Sequence, residues 1–225
     1  MMNFNDLVHS QCRPARFRDK KFILKYLRGK EFKQVVDLGC GYGEFGLEVA
    51  NMVRGGLIGL ELSDRECEVS KKNGISVVQT DLNDPLPLKD KSVDLAISIQ
   101  VIEHLIQTDK FLDEVKRVLK KDGVFLMTTV NLAAVQYRVM LLLGMQPICL
   151  HPSVYQVYPL KKLNPVYGHK SVFTFEALKE VLQKHGMKIE KAYTHTIYLM
   201  PEWLSRALCK LRPNWGTFSC YVVRR

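Results

Sequence analysis

Residues 35–46, VVDLGCGYGEFG, carry a short apolar strand into three glycines at alternate positions, Gly39, Gly41 and Gly43, and from there directly into a helix. Glycine allows a tight turn and lets another molecule approach the backbone without meeting a Cβ. A helix beginning at such a turn leaves its first N–H groups facing the same crevice. Few architectures accommodate a buried strand, a bare turn and a helix in immediate succession, and the open α/β sheet is the principal one.

The remainder of the chain extends this alternation. Residues 19–29 (DKKFILKYLRG) have the spacing of an amphipathic helix that stops at Gly29. Strands are expected at 35–38, 57–62, 75–79, 93–99, 124–130, 187–196 and 218–223. Between them, 44–52 is helical in period, and Ser63 with Glu66 forms a capping box for a polar helix that ends near Gly74. Thr108 is expected to cap a helix closed by Asp122-Gly123, Thr174 opens another, and Pro201 sits in the first turn of a basic helix through Leu211. Right-handed crossovers then predict a doubly wound, mostly parallel seven-stranded sheet with helices on both faces. One domain over 1–225 is expected, with 1–30 as an N-terminal helical cap. Residues 132–172, an apolar stretch followed by a long Pro-, Tyr- and His-rich loop, are expected to form a lid inserted after strand five.

Composition limits the setting. The chain has 225 residues and a net charge of +10, distributed unevenly. Residues 1–33 carry nine basic and three acidic side chains, 34–130 carry 11 and 16, and 131–225 carry 13 and four. Basic ends around an acidic centre suggest contact with an anionic surface or RNA, or simply a solvated face. Six cysteines without a CxxC pair argue against a zinc ribbon or a disulfide scaffold, so a reducing cytoplasm is expected. No secretory signal is visible, and the apolar run 139–150 is broken by Gly144 and Pro147, too short for a transmembrane span.

Gly41, Gly43 and Gly46 also satisfy the GxGxxG spacing of a dinucleotide-binding turn. The acidic residues separate the two possibilities. Asp37 precedes the glycines, where a carboxylate repels a pyrophosphate but suits an ammonium group. Glu61 ends the second strand, 20 residues after Gly41, where it can accept two ribose hydroxyls. Asp81, in QTDLND after the third strand, can accept from an exocyclic adenine amine.

These segments resemble the class I S-adenosylmethionine-dependent methyltransferases, in particular the broad methyltransferase type 11 group that includes ubiquinone-pathway O-methyltransferases. VVDLGCGYGEFG resembles the first motif, LELS the acidic end of strand two, and QTDLNDPLPLKDKSVDLAISIQVIEHL the adenine-contact and fourth motifs. VLKKDGVFLMTTVN resembles the run into strand five, so the likeness covers roughly 30–131 and continues weakly into FTFEALKEVLQKHGMKI. It implies a Rossmann-like fold and S-adenosyl-L-methionine as cofactor, released as S-adenosyl-L-homocysteine. It also implies that Asp37, Gly39, Cys40 and Gly41 hold the methionine end and the turn. Glu61 would take the ribose, Leu62 would pack on adenine, and Asp81 with Leu82 would read the adenine edge. Gln100 would lie near the sulfonium. Cys40 also reads as a small packing residue, and Leu62 as plain core.

An acceptor hydroxyl must lose a proton, and His104 in VIEHL, with Glu103 beside it to orient it, is the candidate base. Glu-His here can equally serve only to shape the turn. His169 could be brought over the cleft by the downstream loop. Some RNA 3′-terminal 2′-O-methyltransferases carry Glu-x-x-Glu-His plus a distant His around a divalent ion. Here Gln100 stands at the first position, a charged oxygen ligand is lost, and no metal is expected. The expected acceptor is a small molecule, a lipid-linked compound or a glycan, methylated on oxygen. The apolar run after Asn131 would form a greasy wall, or a peripheral membrane contact backed by Lys161, Lys162 and Lys170. Tyr137, Tyr155, Tyr158 and Tyr167 could instead stack on bases, making an RNA methyltransferase the alternative. A catalytically silent S-adenosylmethionine-binding module is the non-enzyme alternative.

Overall fold

The structure, a computed structural model, describes residues 18–150, 168–198 and 200–225. Helix α1 is described over residues 18–27. It is followed by β1 (Gln34–Leu38), α2 (Glu44–Val53), β2 (Gly56–Glu61), α3 (Asp64–Lys72), β3 (Ser76–Gln79) and β4 (Val93–Ile99). A single 3-10 turn, Ile102–His104, precedes α4 (Thr108–Val118), β5 (Leu119–Val130) and α5 (Val135–Leu142). The chain closes with α6 (Phe175–Lys184), β6 (Lys188–His195), α7 (Glu202–Leu211) and β7 (Phe218–Arg224). The seven strands lie in the order β3-β2-β1-β4-β5-β7-β6. Strands β1 to β5 pair in parallel, and β7 runs antiparallel to both β5 and β6.

Side-chain alternation along the strands sorts the core onto the two faces of the sheet. Val35, Leu95, Ile97, Leu126 and Val222 pack with Ile23 and Leu27 of α1 and Val49 and Val53 of α2. Their neighbours Val36, Ala96, Phe125, Met127 and Tyr221 pack with Phe111 and Leu112 of α4 and Leu178 and Leu182 of α6. Burying each such side chain is worth about 1.5–3 kcal/mol, so neither helix layer can be removed without losing the fold. A smaller cluster, including Val130, Ala134, Tyr137, Ile148, Tyr198 and Phe218, supports the carboxyl end of β5.

Two helix termini follow local chemistry. Ser63 Oγ accepts from Glu66 N at 3.4 Å, although Ser63 N donates to Glu61 Oε1 and not to Glu66, so only half of the expected capping box forms; Thr174 Oγ1 accepts from Ala177 N at 3.2 Å. Three boundaries differ. Thr108 is the first residue of α4, and Gln107 occupies the cap position. Helix α4 ends ten residues later, because Leu119 turns extended (ψ 139°) and pairs with Val93. Asp122-Gly123 therefore lies inside β5, where a Cβ on Gly123 would fall 2.9 Å from the Lys120 carbonyl oxygen. Pro201 is the cap of α7 rather than a member of its first turn. Of the expected lid, 132–150 with α5, and 168–172, are described; 151–167, with Lys161, Lys162, Tyr155, Tyr158 and Tyr167, lie outside the described residues. No described helix is long and apolar enough to cross a membrane.

Candidate functional site

Parallel strands bring their carboxyl ends to one edge, and the order reverses between β1 and β4, which opens a crevice there. Asp37 lies near the end of β1 and Glu61 ends β2; both are buried. The Glu61 carboxylate organises the turn. Its Oε2 accepts from Gly41 N at 2.9 Å, and its Oε1 accepts from Leu62 N at 2.8 Å and Ser63 N at 3.0 Å. Ser70 Oγ donates to the Gly41 carbonyl at 2.8 Å, so this residue is held on both sides.

The glycines serve different ends. Gly41 has φ +55°, and no atom lies within 4 Å of where its Cβ would be, so bare backbone faces open space. Gly43 has φ +80°, and a Cβ there would lie 2.2 Å from Ile75 Cδ1, so this position serves packing. A Cβ on Gly46 would come 2.6 Å from Asp37 Oδ2, which is how α2 reaches the carboxylate closely. Cys40 packs against Gly59, and burial first, then Asp37 and Glu61, pushes its thiol up to about 12. A thiol raised in this way is a poor nucleophile at neutral pH.

Burial, and secondarily the Glu61 charge, raises Asp37 to about 7, with Lys20 pulling the other way. Two buried carboxylates beside an open glycine turn would be relieved by a cation and opposed by a phosphate. The donor set therefore fits an ammonium- and sulfonium-bearing nucleoside, and does not fit a dinucleotide pyrophosphate. Leu62 is 62% exposed at the rim, so it is not core. Leu82 is buried, and Asp81 Oδ1 accepts from Asn83 N and Nδ2, both at 2.8 Å. Asn83 Oδ1 in turn accepts from Ile106 N and Gln107 N at 2.8 and 3.0 Å, tying the loop after β3 to the loop after β4.

Gln100 follows β4 in a left-handed conformation, φ +56°, with its N–H donating to the Thr128 carbonyl at 2.9 Å. Glu103 is fully buried, and its Oε2 accepts from Thr129 Oγ1 at 2.8 Å. The segment after 167 folds back onto this turn. Lys170 N and Ser171 N donate to the Glu103 carbonyl, and the His104 and His169 ring centroids are 4.8 Å apart. His169 Nδ1 bonds the Cys149 carbonyl oxygen at 2.8 Å, which fixes the ring. Glu103, His104 and His169 thus present ligand-type atoms within 4.8 Å of one another.

A second cluster goes beyond the sequence expectations. Asp19, His195 and Cys220 also bring their polar atoms within 4.8 Å, beside Gln100. A signal for it exists in the sequence: Asp19 shares the buried face of α1 with Phe22, Ile23, Tyr26 and Leu27, an i, i+3/i+4, i+7/i+8 pattern in which an acid is out of place.

A family profile described as a methyltransferase domain matches residues 36–127. Residues of this chain are 35% identical over 101 positions to a probable S-adenosylmethionine-dependent methyltransferase of Mycolicibacterium smegmatis, covering 44% of this chain and 38% of that one. The ubiquinone biosynthesis O-methyltransferase of Pelagibacter ubique is 28% identical over 103 residues, covering 44% and 42%. The chain spans about half or less of the length of the curated relatives it matches. The fold is shared with a SAM-dependent methyltransferase of Archaeoglobus fulgidus at a TM-score of 0.64 and 18% identity, covering 99% and 100%. It is also shared with the [4+2]-cyclase SpnF at 0.62 and 18%, covering 92% and 80%, so the fold alone does not name the reaction. Matched motifs, the carboxylate-lined glycine turn and the sheet order agree: residues 36–127 are similar to the methyltransferase domain of S-adenosylmethionine-dependent methyltransferases, and the chain shares the Rossmann-like fold of those enzymes.

Proposed function

We propose that this protein transfers a methyl group from S-adenosylmethionine to an oxygen of a small-molecule, lipid-linked or glycan acceptor. The observation that carries the reading is the pair of buried carboxylates, Asp37 and Glu61, around the open Gly41 backbone. S-adenosylmethionine supplies an activated methyl on a sulfonium, so the protein has mainly to bind, align and exclude water. Asp37 and Gly41 receive the amino-acid end, Glu61 the ribose, and Leu62, Asp81 and Leu82 the adenine. Glu61 keeps the turn open through its three backbone hydrogen bonds while it does so.

An oxygen acceptor lies on the β4–β5 side of the cleft, where His104 takes its proton and buried Glu103 sets the turn that carries the imidazole. Helix α5 supports an apolar or lipid-linked acceptor. Tyr137 is its buried residue, whereas Leu142 is 86% exposed, and Val139, Leu141 and Leu143 are also exposed.

Calorimetric titration with S-adenosylmethionine and S-adenosylhomocysteine tests the cofactor, and transfer of a radiolabelled methyl to extracts, followed by mass spectrometry of the product, tests the reaction. Binding without transfer to any acceptor pool would reduce the protein to a silent binding module. His104→Ala is expected to lower kcat while leaving cofactor affinity intact; unchanged turnover would remove the histidine from the mechanism.

A further inference from the structure

Asp19 is fully buried, yet it is held by polar groups from three other parts of the fold. Its Oδ1 accepts from His195 Nε2 at 2.8 Å and from the Cys220 thiol at 3.7 Å. Its Oδ2 accepts from Gln100 Nε2 at 3.4 Å, and the same Nε2 lies 3.3 Å from Thr128 Oγ1. With the Asp19 oxygen as acceptor, the facing His195 Nε2 is the donor. Its Nδ1 lies 2.9 Å from the Thr196 hydroxyl oxygen, and that oxygen accepts from Arg18 Nη1 at 2.7 Å.

Position gives this network its interest. Strand β6 runs parallel to β5 through the intervening β7, so His195 comes to the same carboxyl edge as Gln100, Asp37 and Glu61. Gln100 and Thr196 both have left-handed backbones, φ +56° and +62°, a costly conformation for residues with a Cβ, above all for a β-branched one. Both are bonded into the Asp19–His195 couple. The next residue of α1, Lys20, faces the other side of the crevice: it lies 4.9 Å from the Phe45 ring centroid and acts on the Asp37 carboxyl. The start of the described α1 therefore spans the crevice, with a cation toward β1 and an anion toward the tip of β4.

We propose that Asp19 belongs to the cofactor site: clamped by His195 and directed at Gln100, it is a positioning and specificity residue. It sets a negative charge at the tip of β4 that favours a cationic sulfonium over its neutral thioether product. This rests on the reading that the site binds S-adenosylmethionine. A carboxylate that served only to tether α1 would affect both ligands alike.

Calorimetric affinities for S-adenosylmethionine and S-adenosylhomocysteine, measured on the wild-type protein and Asp19→Asn, test it. Asp19→Asn is expected to weaken S-adenosylmethionine about tenfold and leave S-adenosylhomocysteine unchanged, the scale of one charge–charge interaction in a half-buried setting. Equal weakening of both ligands, or weakening of neither, overturns the proposal. Should the variant fail to fold, the wild-type protein decides through the 15N resonances of the His195 ring. These are expected to move on adding S-adenosylmethionine and much less on adding S-adenosylhomocysteine; equal movement overturns the proposal. Wild-type protein that bound neither ligand would instead refute the methyltransferase reading itself.

Discussion

The Asp37 carboxyl makes the site less stable than it need be, and Asp37→Asn exposes the cost. Burial first, and then the nearby Glu61, pushes this group up to about 7 in the fold, against 3.8 for a freely solvated carboxyl. Folding therefore favours its protonated form. Its contribution to stability is neutral below about pH 4 and becomes steadily less favourable up to pH 7. Above that it levels off at a cost of up to about 4 kcal/mol. Asparagine keeps the shape and removes the charge. The ligand-free variant should therefore gain on the wild type as pH rises, with the stability difference widening by about 3 kcal/mol between pH 5 and pH 8. For a chain of this length that is a relative shift in Tm of roughly 6–12 °C. Thermal unfolding of both proteins at the two pH values measures it. Saturating S-adenosylmethionine at pH 8 should reverse the order, because the cation that relieves Asp37 does little for an uncharged amide in its place. A stability difference independent of pH would refute the argument that a strained carboxylate waits for a cation.

The glycine turn yields a contrast between neighbours. Gly41→Ala meets no atom, so it should cost only about 1 kcal/mol of stability, from its positive φ, while its methyl group obstructs the ligand and lowers cofactor affinity in calorimetry. Gly43→Ala adds a clash with Ile75 and should cost roughly 2–4 kcal/mol in denaturant unfolding; equal effects of the two on stability would show that the turn is not divided in this way. His185 lies between Asp109 and Asp113, at 3.0 and 2.7 Å. Burial opposes its charge, but the two carboxylates outweigh burial and hold its pKa above the usual value of 6.5. The stabilisation is fully present below pH 6.5 and is lost as pH rises through the raised value, so His185→Gln should lower Tm at pH 5.5 and have little effect at pH 9. An effect of the same size at both would exclude the charged pair.

Much of the architecture is legible in short stretches because it is governed by short-range chemistry. Strand alternation, the Ser63 and Thr174 caps and the Gly39–Gly43 turn each depend on residues within a few positions of one another. The acidic glycine turn is legible for the same reason. Asp37, Gly41 and Glu61 sit at the ends of predicted strands, and parallel pairing brings such ends to one edge. Where a boundary differs from its local stop signal, tertiary pairing outweighs that signal. Asp122-Gly123 reads as a helix end, yet β5 starts at Leu119 because pairing with β4 claims that residue first.

The amino-acid order by itself determined the alternating α/β plan, the bare turn and the acids around it, since each is a property of neighbours in the chain. Only the folded molecule decided that β7 would lie antiparallel between β5 and β6, and that Asp19 would meet a histidine 176 residues away. It also brought His169 over His104. Contacts of that range are chosen by which apolar faces bury one another, and no local spacing encodes them.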